Sequence, residues 1–222
     1  MNKLLFLPLI LLTFAFAQPK ISIDGSIGYD KIVIDYYEFQ VGNNLYYYEK
    51  LPVNVYSFGI AASALIPITD IAQLDARISI GYMSGTASTD EPDWKEFDSK
   101  ASLNLFPKIR FGKEEKIYAS IGLGASIPLL CDIRQTSRYG TYTYDINDID
   151  PETLFAAALS GRYNYFGAGL GKVLNGGDNA TSMGVSIFIT IFEQFEIVPS
   201  IGYSVGNIAK QYSMSVGIDY SL

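Results

Sequence analysis

The sequence predicts an all-β protein whose strands close into an antiparallel, up-and-down transmembrane β-barrel. Three observations lead to this prediction. Apolar residues alternate with small or polar residues along most of the chain, the polar face of each repeat is mainly Ser and Gly, and tight turns alternate with longer polar connections. Alternation with a period of two is typical of strands that have two different faces. A meander whose longer connections all lie at one rim is an up-and-down barrel.

The first residues predict an exported protein. Lys3 precedes a mainly apolar run from Leu4 to Phe16, and the run ends in an Ala-x-Ala sequence at Ala17. This is the pattern of a secretory signal peptide, and the run is shorter than the roughly 20 residues that a membrane-spanning helix needs. We expect residues 1–17 to be cleaved and residues 18–222 to form one barrel domain.

Ten segments carry the alternation and are the predicted strands. The first, KISIDGSIGY, places Ile21 and Ile23 on one face and Ser22 and Asp24 on the other. The same pattern continues in residues 55–66, 74–82, 100–111, 117–129, 154–161, 166–174, 182–191, 197–205 and 211–222.

The segment from Leu154 to Leu174 is ambiguous because its apolar face changes parity. The face is odd-numbered up to Leu159 and even-numbered from Phe166 onwards. Such a change indicates a turn or a bulge. If RYNY at residues 162–165 is a turn, the barrel has ten strands, which we prefer. If it is a bulge, eight strands are the alternative.

The lengths of the connections predict which rim of the barrel faces the periplasm and which faces the outside of the cell. Tight turns are expected near Asp70, at Lys113–Lys116 and at Glu193–Glu196, and these would face the periplasm. The longer, polar connections would be outer loops, at Val41–Lys50, Thr86–Asp98, Asp132–Pro151, Asn175–Thr181 and Asn207–Gln211.

Alternation alone does not say whether the apolar face points to lipid or to a core. The polar face is mainly Ser and Gly, whereas water-facing strands usually carry Lys, Glu, Thr and Arg, and the apolar face runs without charge for the length of a membrane-crossing strand. Aromatic residues mark the ends of apolar faces, as is typical of membrane interfaces, at Tyr29, Tyr56, Tyr82, Phe111, Tyr203 and Tyr220. We therefore expect a membrane barrel, with a soluble lipocalin-like secreted carrier as an alternative.

The last segment, QYSMSVGIDYSL, alternates through to Leu222. Because every backbone polar group in lipid must be paired, we expect this strand to pair with the first and close the sheet. The pattern resembles that of the small outer-membrane β-barrel family of OmpA/OmpX type. The resemblance implies a place in the outer membrane of a Gram-negative cell envelope and recognition of the last strand by the assembly machinery. That family usually ends in an aromatic residue, whereas here Tyr220 stands two residues before the end.

The composition excludes several classes of function. The chain has no His, so an enzyme of the His-dependent outer-membrane kind is excluded, and we expect no enzyme activity. The net charge of −7 argues against nucleic acid. Acidic loops such as Asp145–Glu152 lack the spacing of a calcium loop, and we expect neither a metal nor a cofactor.

Charged residues on the polar faces are candidates for a site in the lumen. They would line a pore, or they would form an ion-pair network that fills a small barrel and pairs the charges it buries. These candidates are Asp24, Asp75, Arg77, Lys108, Arg110, Arg162, Glu196 and Asp219.

Aromatic residues of the predicted outer loops are candidates for contact with a partner. Tyr-rich loops make contact surfaces at low entropic cost, although the same residues would also extend an aromatic girdle. They are Tyr46, Tyr47, Tyr48, Trp94, Tyr139, Tyr142 and Tyr144. The sequence thus favours a structural or interaction barrel that presents acidic, Tyr-rich loops to an unknown extracellular ligand. A narrow passive pore for ions or small solutes is the alternative.

Overall fold

The protein is an all-β ring of strands in a computed structural model. The structure describes residues 19–41, 43–89, 94–114, 116–144, 152–175 and 179–222. The predicted signal peptide and most of the acidic segment Asp145–Glu152 lie outside these residues. The strands are β1 (Lys20–Val41), β2 (Asn44–Pro67), β3 (Ala72–Ser88), β4 (Lys95–Leu105), β5 (Lys108–Glu114), β6 (Ile117–Ser137), β7 (Gly140–Tyr144), β8 (Leu154–Tyr163), β9 (Phe166–Val173), β10 (Thr181–Ile187), β11 (Ile189–Phe192), β12 (Phe195–Val205) and β13 (Ala209–Ser221).

These strands occupy ten positions of one antiparallel ring, which confirms the ten-strand prediction and makes the eight-strand alternative wrong. Strand β5 continues β4 after a break at Phe106 and Pro107, and β11 continues β10 after Phe188. Strands β7 and β8 share one position, because both pair with β6, one beyond the other. The RYNY segment is a turn, because Tyr163 pairs with Phe166. Asn164 in this turn has a φ of 51°, a left-handed conformation that Asn tolerates better than most residues.

The first and last strands close the ring, as predicted. Strand β1 pairs antiparallel with β13 in continuous register from Ser22 opposite Ser221 to Ile34 opposite Ala209. On its other edge β1 pairs with β2. Closure of this kind leaves the ring without a free edge, which is the condition for a sheet to cross a bilayer.

The apolar faces of the strands point outward. Large apolar side chains such as Leu123 (63% exposed) and Phe166 (65% exposed) cover the outside of the ring. A soluble barrel would bury such residues, so the lipocalin-like alternative is wrong. Among the described residues, no helix is long and apolar enough to cross a membrane.

The longer connections lie at the predicted rim, but much of their sequence is strand. Strands β1 and β2 run through the predicted loop Val41–Lys50 as a hairpin, with Tyr37 opposite Tyr48 and Glu38 opposite Tyr47. That loop prediction is wrong because alternating Tyr and Glu side chains pair across two strands as readily as they fill a loop. The predicted loop Thr86–Asp98 is likewise shortened at both ends by β3 and β4. We refer to this rim as the loop end and to the opposite rim as the turn end.

Candidate functional site

The charged residues predicted for the lumen lie on the inward face close to the turn end, and we call them the charged layer. Several are direct neighbours across strands: Asp24 stands opposite Asp219, and Asp75 stands opposite Lys108. The layer consists of Asp24, Asp75, Arg77, Lys108, Arg110, Arg162, Glu196 and Asp219.

One part of the charged layer connects strands that are not neighbours. Arg162 on β8 donates two hydrogen bonds to the carboxylate of Glu196 on β12, at 2.7 and 2.8 Å. Thr190 donates to the same carboxylate at 2.9 Å, and the Lys116 ammonium donates to the Thr190 hydroxyl at 3.3 Å. Thr190 and Glu196 are register partners on the paired strands β11 and β12. Because β9, β10 and β11 lie between β8 and β12 in the ring, the contact of Arg162 with Glu196 crosses the lumen.

The rest of the layer lies around a second ion pair. The guanidinium of Arg77 is 2.9 Å from the carboxylate of Asp24, across the intervening strand β2. The guanidinium of Arg110 lies 3.6 Å from the centre of the Tyr118 ring. Most of the described lumen charge is therefore concentrated at one end, where opposite charges offset each other.

Two aromatic rings in the lumen were missed by the sequence analysis. Phe106 lies against Gly122 and Gly124, where a Cβ on Gly124 would overlap its ring. Phe188 lies against Gly167, and its ring centre is 3.8 Å from the Arg162 guanidinium. The available signal was parity, since both Phe residues occupy polar-face positions in their strands.

Between the two ends, the inward face is formed by small residues. Neighbouring strands bring hydroxyls together across the sheet, as in the 2.7 Å hydrogen bond between Ser120 and Ser160 and the 2.9 Å bond from Ser200 to Ser186.

At the loop end, apolar residues form a small core that we call the cap. Its buried members are Leu51, Ala87 and Trp94, and Trp94 is only 2% exposed. Around them pack partly buried side chains from the β1–β2 hairpin, namely Ile34, Tyr37, Tyr46, Tyr48 and Val53. Trp94, the residue before β4, thus packs inward beneath the hairpin.

A hydrogen-bonded group ties the cap across the mouth of the barrel. The Tyr37 hydroxyl donates to a Glu96 carboxylate oxygen at 2.8 Å, and the Gln135 amide donates to the same oxygen at 2.7 Å. Tyr37 belongs to β1 and Glu96 to β4, so this contact passes over β2 and β3. Burial, and secondarily the charge of Glu96, raises the pKa of Tyr37, which keeps its hydroxyl protonated as a donor.

Asp98 lies on the inward face beside this group. Burial, with the charge of Glu96 as the next cause, raises the pKa of Asp98 to about 6. The ammonium of Lys100 is 3.9 Å away and only partly offsets this effect. One Asp98 carboxylate oxygen is buried without a hydrogen-bond partner in the described part of the chain.

The residues predicted to contact a partner separate into buried and exposed groups. Trp94, Tyr46 and Tyr48 pack in the cap, so their side chains support the hairpin and do not form an outer surface. Tyr47, Tyr139 and Tyr142 are exposed. The side chain of Tyr144 lies outside the described part of the structure.

The outer face of the β1–β2 hairpin carries a block of four residues that we call the contact face. Tyr36 stands opposite Glu49, and Glu38 stands opposite Tyr47. The rings of Tyr36 and Tyr47 are 5.9 Å apart, and within the described residues neither carboxylate has an ion pair. Of these four residues only Tyr47 was singled out from the sequence. Tyr36 and Glu38 lie between the first predicted strand and the predicted loop Val41–Lys50, and Glu49 lies in that loop.

The described residues offer no arrangement for metal chemistry. Among them, no group of three or more His, Cys, Asp or Glu side chains is placed to hold a metal ion. Cys131 is a free, buried cysteine that stands opposite Lys100 on β4.

Solved structures share this architecture at low sequence identity. They include the β-domain of the Bordetella autotransporter BrkA, with a TM-score of 0.52, 13% identity, and 90% of this chain and 98% of that chain covered. The translocator domain of the autotransporter NalP from Neisseria meningitidis gives a TM-score of 0.50 at 12% identity, with 97% and 93% covered. The transport unit of AIDA-I from Escherichia coli gives 0.50 at 7% identity, with 90% of each chain covered.

The fold is that of an outer-membrane β-barrel. No protein-family model and no curated protein sequence matches the chain. At these identities the likeness establishes the architecture alone. The prediction of a small outer-membrane barrel is confirmed at that level, and the narrower OmpA/OmpX-type assignment stays a prediction.

Proposed function

We propose that the protein is a non-enzymatic outer-membrane barrel, closed to free solute flow, that presents a rigid surface outside the cell. The observation that carries this proposal is the cap. Tyr37, Glu96 and Gln135 join three strands across the mouth, and Trp94 is packed beneath the hairpin. A chain that served only as a pore would gain nothing from a packed, hydrogen-bonded core above its opening.

The charged layer supports closure at the opposite end. Arg162 and Glu196 form a two-bond pair whose side chains are 9% and 14% exposed, and Phe106 and Phe188 lie in the same region. With the turns toward the periplasm, this layer obstructs the periplasmic exit and the cap covers part of the outer one. The lack of His in the chain supports a role without catalysis.

The contact face indicates the chemistry of the extracellular partner. Two exposed carboxylates alternate with two exposed Tyr rings. Carboxylates bind Lys and Arg through charge-assisted hydrogen bonds, and Tyr rings bind the same cations through their faces. We propose that the partner presents a cationic surface. The bilayer, and the assembly machinery through β13, are the remaining partners of this proposal.

The proposal is tested by conductance and by binding. Refolded protein in a planar bilayer should be silent, with its fold checked by heat-dependent gel mobility. Vesicles that carry the protein should bind an immobilised Lys-rich peptide and not a Glu-rich one. The variant Glu38→Gln/Glu49→Gln should lose this binding, whereas the matched control Glu152→Gln/Glu193→Gln should keep it. Stable conductance steps would contradict closure, and equal binding by both variants would contradict the contact face.

A narrow passive pore is a second candidate, favoured by the small residues of the inward face beyond the charged layer, such as Ser186 and Ser200. If ions pass, Arg77→Gln or Arg110→Gln should change the ion selectivity. An unchanged selectivity would rule out a path through the charged layer.

A further inference from the structure

Three cations form an outward-facing group on β4, on β6 and in the turn that follows β6. Phe97 and Arg134 are paired across the two strands, and Lys95 is paired with Thr136 one rung further from the membrane. These side chains continue the outward face that begins with Leu105 and Leu103, because the parity of β4 does not change. We call Lys95, Arg134 and Arg138 the basic patch.

The cations of the basic patch have no opposite charge bound to them within the part of the chain that the structure describes. None of the three takes part in an ion pair with any residue that the structure describes. Instead, the Arg134 guanidinium lies 5.4 Å from the Phe97 ring centre, and that of Arg138 lies 5.1 Å from the Tyr139 ring centre. The chain has a net charge of −7, so a group of three cations without a described ion pair is opposite in sign to the protein as a whole.

The height of the basic patch relative to the membrane is given by the aromatic belt. Tyr82 ends the apolar face of β3, and its hydroxyl accepts a hydrogen bond of 2.8 Å from Ser99 on β4. Phe97 and Arg134 lie one outward-facing rung beyond Ser99 and Asp132. A rung of two residues spans about 7 Å along a strand. Arg134 therefore lies within about one rung of the belt, at the depth where lipid headgroups begin.

We propose that the basic patch binds the phosphate groups of a phosphorylated lipid headgroup in the outer leaflet. Arg presents a planar set of donors that matches phosphate oxygens, and Arg134 is held in place by its ring contact. The hydroxyls of Thr136 and Thr141, 3.3 Å apart, lie beside it and add neutral donors. Lys95 and Arg138 extend the positive surface away from the bilayer, toward further phosphates of a large headgroup.

The orientation of the patch favours a lipid over a soluble anion. Lys95 and Arg134 face sideways from the barrel wall, toward neighbouring headgroups, and Arg138 lies beyond them in the turn between β6 and β7. A free phosphate ion would contact only an open surface of three long side chains, which does not enclose it. A lipid headgroup is held at this height by its acyl chains, so a weak local attraction is sufficient to retain it.

The test compares lipids on the purified barrel in a neutral detergent. Native mass spectrometry measures retention of lipid A, which carries phosphates, against phosphatidylcholine of similar chain length. The test variant is Lys95→Gln/Arg134→Gln/Arg138→Gln. The matched control is Lys20→Gln/Lys31→Gln/Lys172→Gln, which removes the same charge from β1 and β9. Each cation near a phosphate-bearing surface contributes about fivefold in affinity, so the test variant should bind lipid A about 100-fold more weakly.

The expected result is preferential retention of lipid A by the native barrel and the control, and loss of that preference in the test variant. Equal loss in both variants would show a general charge effect and overturn the proposal. Displacement of lipid A by millimolar inorganic phosphate would assign the patch to a soluble anion and overturn the lipid. If the test variant does not fold, Lys95→Gln/Arg138→Gln keeps the contact of Arg134 with Phe97 intact and should still weaken binding about 25-fold.

Discussion

Arg162 on β8 and Glu196 on β12 bind each other through two hydrogen bonds, of 2.7 and 2.8 Å, across the inside of the ring. Both side chains are largely buried, and the aromatic ring of Phe188 covers the guanidinium. The pair therefore links two walls of the barrel that share no backbone hydrogen bond. The pair thus stabilises the barrel in addition to the backbone hydrogen bonds between neighbouring strands.

Glu196→Gln should destabilise the barrel. The change leaves the Arg162 charge without its carboxylate in a largely buried place, and breaking such a pair costs up to about 3 kcal/mol. Unfolding in urea, followed by gel mobility, measures this loss. Glu193→Gln in the exposed turn nearby should have little effect. If both variants unfold at the same urea concentration, the link across the lumen contributes nothing to stability.

Gly124→Val should impair folding, and Phe106→Ala should restore it. A Cβ at Gly124 would overlap the Phe106 ring and come within 2.6 Å of the Leu105 carbonyl oxygen. Removing the ring leaves only the backbone contact, so the double variant should fold better than Gly124→Val alone. The yield of heat-modifiable barrel after refolding measures both effects. Independent, additive losses in the two variants would mean that the ring does not occupy this place.

Tyr37→Phe should loosen the cap while leaving the barrel folded. It removes a hydrogen bond to a carboxylate, which contributes about 1.5 to 3 kcal/mol. Trp94 is the only Trp in the chain and is buried in the cap, so its fluorescence in a urea titration reports cap opening. Tyr36→Phe is the matched control, because the Tyr36 hydroxyl makes only a 3.4 Å contact with Glu38 on an exposed face. An equal shift in both variants would contradict the bridge across the mouth.

The cap should become less stable as the pH rises through about 6. Burial raises the pKa of Asp98 to about 6 from an ordinary value of 3.8, so the folded cap binds this proton more tightly than the open chain does. The stability is therefore complete below about pH 4, declines between the two values and stays low above them. Trp94 fluorescence in urea at pH 4 and at pH 8 measures the difference. Asp98→Asn should stabilise the cap at pH 8 and leave it unchanged at pH 4, and a cap that is more stable at pH 8 would contradict the assignment.

The side on which a residue lies was predictable from the sequence, because one face of each strand must suit hydrocarbon. A shift of one residue would turn Ile21 and Ile23 of β1 into the lumen and Asp24 into lipid, so the register is strongly constrained. The turn at Asn164 was predictable for the same reason, since the parity of the apolar face changes there. The same parity predicts that the candidate charges lie on the inward face.

The contacts made by those side chains were not predictable. The pairing of Arg162 with Glu196 depends on the width and stagger of the closed ring, which the alternation pattern does not contain. Trp94 was expected in an exposed loop, and its burial requires Leu51 and Ala87 from two other strands. The loop prediction at Val41–Lys50 was wrong because this segment is polar and rich in Tyr. It forms paired strands outside the bilayer, where neither face of a hairpin has to be apolar.

The length of the β1–β2 hairpin has a practical consequence. Strands of 22 and 24 residues measure about 70 to 80 Å, whereas the hydrocarbon band of such barrels is about 25 Å tall. The far end of the hairpin is held by its own side chains and by Trp94 and does not depend on the bilayer. A foreign epitope exchanged into that end would be carried well clear of the lipid on a support that is already folded, which makes the chain a candidate scaffold for surface display.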